Sequence, residues 1–163
     1  MKYEEKYTIN GLKLPERLIQ LYETNKWTAP FDKSGIREIL ELPESLRNRF
    51  DRFDDYADFT TYGLGVMTSE SLAIKRWEAA KDSMFLGKED EIVKPGNIDV
   101  NKAILIADLG IGSDSPFVLD YQQEIDNPSV MIIRWGEDAF KDNRWMKIAD
   151  SFESFIERIG IKS

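Results

Sequence analysis

The chain has 163 residues, 42% of them hydrophobic and 32% charged, a length that fits one domain with a core of its own. Thirty acidic residues against 22 basic ones give a net charge of −8, which argues against direct binding to nucleic acid, where Lys and Arg must neutralise phosphates. Cys and His are both absent. That excludes disulfides, thiol and Ser-His-Asp chemistry and the commonest zinc sites, and leaves carboxylates, Lys, Tyr and oxygen-ligated Mg or Ca as the available chemistry.

The opening MKYEEKYTINGLKL lacks the basic start and apolar run of a secretory signal. No run approaches the roughly 18 apolar residues of a membrane helix, so a soluble cytoplasmic protein is expected. Residues 1–11 are polar and read as a frayed end or a short strand. Pro15 then opens a helix carrying Leu14, Leu18, Leu21 and Tyr22 at helical spacing, closed by Trp27 and Pro30. Pro43 opens a second expected helix, with Leu46, Phe50 and Phe53 on one face and Arg47, Arg49, Asp51, Arg52 and Asp54 on the other. A third is expected from about Ser69 to Phe85, with Ala73, Trp77, Ala80 and Met84 inward and Gly87 as its stop. The polar segment 88–101 contains Pro95-Gly96, a turn signal.

From residue 102 the pattern changes. Ala103–Ala107, Phe117–Tyr121 and Val130–Trp135 are short apolar runs bounded by Gly, Asp and Pro, which predicts buried strands in an antiparallel meander. A closing helix is expected from about Ser151 to Ile159, with Asp150 as cap, Glu153 completing a capping box and Gly160 as terminator. The fold class is therefore α+β: helices packed on one face of a curved, mostly antiparallel sheet, with a C-terminal helix.

Three groups of residues are candidates for chemistry. The turn from Asp108 to Pro116 (DLGIGSDSP) combines glycines with acids and serines. It precedes a strand rather than a helix and carries acids where a phosphate loop needs positive field, so it reads as a connection that could form part of a binding surface. Asp51, Asp54, Asp55 and Asp58 have helical spacing, but arginines interleave them, as on a solvated helix face. Of the four tryptophans, Trp77 and Trp135 read as core, whereas Trp27 and Trp145 are loop-flanked and are candidate partner contacts. No carboxylate pair or nucleophile stands out, and a carboxylate-based hydrolase is the minor alternative.

The second half resembles the SUKH superfamily of fungal cell-wall synthesis regulators and bacterial immunity proteins. Four elements carry the resemblance: the strand and turn Ile104 to Pro116 (ILIADLGIGSDSP), the apolar strand Phe117 to Tyr121 ending in Asp120, Asn127 to Val130 leading to Trp135, and Trp145 to Ile156 (WMKIADSFESFI). Leu14-Pro15 and Trp27-x-x-Pro30 fit the same pattern more loosely, and residues 54–96 do not align with it. The resemblance implies one SUKH-like domain over residues 1–163, without enzyme activity, cofactor or metal. It implies a protein that binds and neutralises a toxin, commonly a nuclease, or alternatively a regulatory scaffold of cell-wall synthesis or signalling. A nuclease is generally basic, and an inhibitor of charge −8 would be steered to it. The expected partner surface comprises Asp108, Asp114 and Asp120 with Trp27, Glu137, Phe140 and Trp145, centred on the Gly-rich turn and the loop 136–144.

Overall fold

The computed structural model describes residues 3–28, 32–50, 59–79, 85–109, 115–136 and 142–161. The N-terminal segment is ordered by its own turn chemistry. A single helical turn (α1, Tyr3–Lys6) leads into a two-stranded hairpin (β1, Thr8–Ile9; β2, Leu12–Lys13). Asn10 and Gly11 form its two-residue connection with φ of 57° and 73°, the positive-φ pair that matches strand twist. The Asn10 amide donates to the carbonyls of Val100 and Ala103 at 2.9 and 3.1 Å, and the Tyr121 hydroxyl donates to the Lys13 carbonyl at 2.8 Å. These bonds fasten the hairpin to the sheet.

Helix α2 (Glu16–Glu23) starts after Pro15, as expected, and buries Leu18, Ile19 and Leu21. Helix α3 (Lys33–Leu40) was not anticipated. The Asp32 side chain caps it by accepting from the amides of Ser34 and Gly35, and Ile36, Ile39 and Leu40 are its buried side. The helix expected from Pro43 is only a 3₁₀ turn, Glu44–Leu46. The chain stops winding because Phe50 is drawn into a β-bridge with Gly136, while Leu42, Leu46 and Phe50 pack with Val93 in a small satellite core. Phe53 and the acidic run at 51–58 lie outside the described residues.

Helix α4 (Leu64–Ala79) begins before the expected Ser69. The Thr68 and Ser69 hydroxyls bond back to the carbonyls of Leu64 and Val66, so they sit inside the helix rather than cap it. Its buried face is Met67, Ser71 and Ile74, turned away from the expected face begun at Ala73. The Trp77 side chain, Ala80 and Met84 lie outside the described residues.

The main sheet has six antiparallel strands: β3 (Phe59–Thr61), β4 (Pro95–Gly96), β5 (Ala103–Leu109), β6 (Pro116–Asp120), β7 (Ser129–Arg134) and β8 (Arg144–Ala149). Their spatial order is β3-β5-β6-β7-β8-β4, so the expected meander gains a fourth strand, β8. Pro95-Gly96 is not a free turn but the edge strand against Trp145 and Met146, a place that tolerates Pro because one side needs no donor. Irregularities at Leu105/Ala107 and Val130/Met131 bend the sheet. At the first, the Leu105 amide donates to Ser71 Oγ of α4 at 3.1 Å. Strands β5 and β6 are buried at every residue. Cover on one face is therefore incomplete as a description, because the centre of the sheet is enclosed on both sides.

Helix α5 (Phe152–Arg158) packs Phe155 onto Phe117 with ring centroids 5.9 Å apart, and Phe117 meets Phe59 edge-on at 5.2 Å. Its cap is Ser151, whose Oγ accepts from the Ser154 amide at 3.1 Å. The expected Asp150–Glu153 box does not form, because the helix starts one residue later with Ser151 as its N-cap; the Asp150 carboxylate instead pairs with Lys147 Nζ at 2.7 Å. Gly160 ends the helix at φ 81°, as expected. Helix α3 crosses α5 so closely that a methyl on Gly35 would overlap the Arg158 carbonyl, whereas one on Gly65 meets nothing within 4 Å. Gly35→Ala should therefore cost about 1–3 kcal/mol in urea unfolding, and Gly65→Ala should be neutral or slightly stabilising.

Candidate partner-binding surface

The structure separates the expected contact residues. Trp27 is buried: its indole N–H donates to the Tyr62 carbonyl at 3.2 Å and its ring lies 5.7 Å from Phe152. Trp145 is wholly buried, its N–H donating to the Phe85 carbonyl at 2.6 Å. Both are core residues that no partner reaches, which corrects the reading of them as anchors. Each has polar neighbours in sequence but sits where a neighbouring segment closes over the sheet. Asp108 is also buried; its Oδ1 accepts from the Ser115 amide at 2.8 Å and so fastens the base of the Gly-rich turn. It is a turn-fixing residue, not a contact. Asp114, Glu137 and Phe140 lie outside the described residues.

Asp120 is different. It ends β6 at the wall of a groove of about 470 Å³. The groove runs between Lys94 and the edge-strand residue Pro95 on one side and the β6–β7 loop on the other, which contributes Gln122, Gln123, Glu124 and Asn127. Sheet register builds the floor: Asp120 stands opposite Ser129, Met131 opposite Lys147, and the Lys147 amide donates to the Lys94 carbonyl at 3.0 Å. Ile125, in the same loop, is 75% exposed.

The electrostatics of the groove are uneven. Asp120 is only 6% exposed, and burial raises its carboxyl above the ordinary carboxylate value against the hydrogen bonds from Gln122. Asp150, at the open end, is held below its ordinary value by the Lys147 ammonium. Asp120, Glu124 and Asp150 face Lys94 and Lys147 in this lining, and one of the two lysines is already paired with Asp150. Such a wall favours a cationic group of a partner over an anionic one.

A second charged cluster was not legible in the sequence. The Asp90 carboxylate accepts from Arg49 Nη2 at 2.6 Å, from Arg144 Nε at 3.2 Å, and from the amides of Ile92 and Val93 at 2.9 and 2.8 Å. It joins three distant segments, so its role is structural. The local signal was Asp90 placed two and three residues before amides it could accept from. Among the described residues no group of three or more acidic side chains is arranged to hold a metal ion, and no described helix is long and apolar enough to cross a membrane.

Compared with known proteins, the chain matches the SMI1 / KNR4 family (SUKH-1) over residues 2–158. No curated protein and no solved structure matches it.

Proposed function

We propose that this chain, which belongs to the SMI1 / KNR4 family (SUKH-1), is a non-catalytic protein-binding module: an immunity protein that binds and neutralises a basic toxin domain, most simply a nuclease. The observation that carries this reading is the groove at the end of β6, lined by three carboxylates and two lysines and with the buried carboxylate of Asp120 in its wall, on a chain of net charge −8. A nuclease must hold phosphate and is therefore basic. An acidic inhibitor is drawn to it by long-range field and can place carboxylates where phosphates would sit. Neutralising a lethal enzyme calls for tight binding, and nanomolar affinity corresponds to about −12 kcal/mol.

The test is to co-purify the tagged full chain with the product of each gene encoded beside its own, then to assay that product alone and in complex. A one-to-one complex in which nuclease activity is lost is the expected result. The association rate should fall steeply with added salt, because steering between opposite fields is screened. A partner from cell-wall synthesis or signalling that keeps its activity in the complex would replace this reading with a regulatory scaffold. Turnover abolished by Asp120→Asn would replace it with a carboxylate enzyme.

A further inference from the structure

Asp residues are rarely buried without a paired cation, because an isolated carboxylate loses its hydration on leaving water. Asp120 departs from that rule. It is 6% exposed, and its hydrogen bonds come from Gln122, whose backbone amide lies 3.3 Å from Oδ1. Among the described residues no basic side chain lies at ion-pair distance from it; Lys102 acts only at longer range and is opposed by Asp99. Lys147, on the same wall, is held by Asp150 at 2.7 Å. Gln122 thus supplies hydrogen bonds but no charge, while an ionised carboxylate has about four acceptor positions.

We infer that the groove takes one Lys or Arg side chain of the partner protein, seated on the Asp120 carboxylate, with its aliphatic stem along Pro95 and Met131 of the lining. This deepens the protein-binding reading above and rests on it. A long basic side chain matches the place on three counts. Its head supplies the missing positive charge. Its stem is apolar and can lie against Pro95 and Met131, the apolar members of the lining. An anion would meet three carboxylates, Asp120, Glu124 and Asp150, against Lys94 and a Lys147 already paired with Asp150. Arg fits better than Lys where both carboxylate oxygens are to be engaged, because its planar fork bonds them together.

The probe is acetyl-Leu-Arg-Leu-amide, compared with the same peptide carrying uncharged citrulline, in NMR titrations of the full chain. The expected result is movement of the Gln122, Glu124 and Lys147 backbone amide signals, with the arginine peptide binding at least tenfold more tightly. Asp120→Asn should remove that preference. Glu124→Gln, on an exposed loop residue, should weaken the arginine peptide about twofold without touching the fold. Equal binding of the two peptides, signal changes confined to other surfaces, no signal change, or full binding by both variants would each overturn the inference. The two readings fail separately. A captured toxin whose affinity ignores both substitutions removes the groove assignment and leaves protein binding standing. A chain that takes the arginine peptide but forms no protein complex does the reverse.

Discussion

Replacing Asp90 by alanine should destabilise the fold by about 3–5 kcal/mol, the usual cost of removing one partner from a buried ion pair. The carboxylate is 8% exposed and accepts from four groups: two arginines and two backbone amides. When it is removed, the amides of Ile92 and Val93 lose their acceptor. Arg144, whose side chain is 14% exposed, loses one ion-pair partner in a place where water reaches it poorly, whereas Arg49 at 38% can resolvate. Most of the penalty therefore arises at Arg144 and the Val93 amide, because the Ile92 amide is exposed and can turn to water. For a chain of this length each kcal/mol moves Tm by about 2–4 °C, so a thermal scan resolves the effect easily. Asp90→Asn keeps an acceptor for the amides and should cost about half as much. The pH dependence follows from the same contacts. The Arg49 guanidinium, helped by the two amides and Arg144 and opposed by burial, holds the Asp90 carboxyl well below the usual carboxylate range. A folded-state value below the unfolded one of about 3.9 means that the stabilisation is complete above about pH 5 and drains away as pH falls below 4. Urea midpoints measured from pH 6 to pH 2 should fall in the wild type and fall less in Asp90→Asn. Equal slopes in the two proteins would show that other carboxylates govern acid unfolding.

What could be read from the sequence depended on whether a residue's environment is set by its neighbours along the chain. Strands β5, β6 and β7 were legible because uninterrupted apolar runs bounded by Gly, Asp and Pro have few other stable fates. Strand β8 was not, because Arg144 and Lys147 interrupt its apolar positions and its pattern of buried and exposed residues is mixed. Helix α3 leaves a weak local signal because it carries Gly35 inside it, a poor helix former that lies close against Arg158. The helix expected at Pro43 failed for a non-local reason, the bridge from Phe50 to Gly136. The same division holds for function. Asp120 could be singled out because it ends an apolar strand, yet its burial beside a groove depends on the β6–β7 loop and on the edge strand β4, which no local pattern places there. Arg49, Asp90 and Arg144 are 41 and 54 residues apart and meet only after folding.

Trp145 separates the sequence reading from the structural one most cleanly. Were it an exposed anchor, Trp145→Ala would reduce partner affinity and leave unfolding almost unchanged. The structure predicts the opposite order of effects. The side chain is wholly buried on β8, opposite Ile133 and beside Gly96 of the edge strand. Its Cδ1 packs so near Gly87 that an added methyl there would lie 3.0 Å away. Its N–H holds the Phe85 carbonyl. It thereby closes the segment 85–97 onto the sheet, along with the T-shaped contact of Phe85 and Trp135 at 5.4 Å. Truncation to alanine should cost about 3–5 kcal/mol, as for large aromatics deleted from packed cores. Trp145→Phe keeps most of the volume but removes the hydrogen bond to the Phe85 carbonyl, and should cost about 1 kcal/mol. Because segment 85–97 leads into the Lys94–Pro95 wall of the groove, Trp145→Phe should also broaden or shift the amide signal of Lys94 while leaving Ile159 in α5's terminal turn unchanged. A fold that tolerates Trp145→Ala within 1 kcal/mol would return this residue to the surface and overturn the placement of β8 against β4.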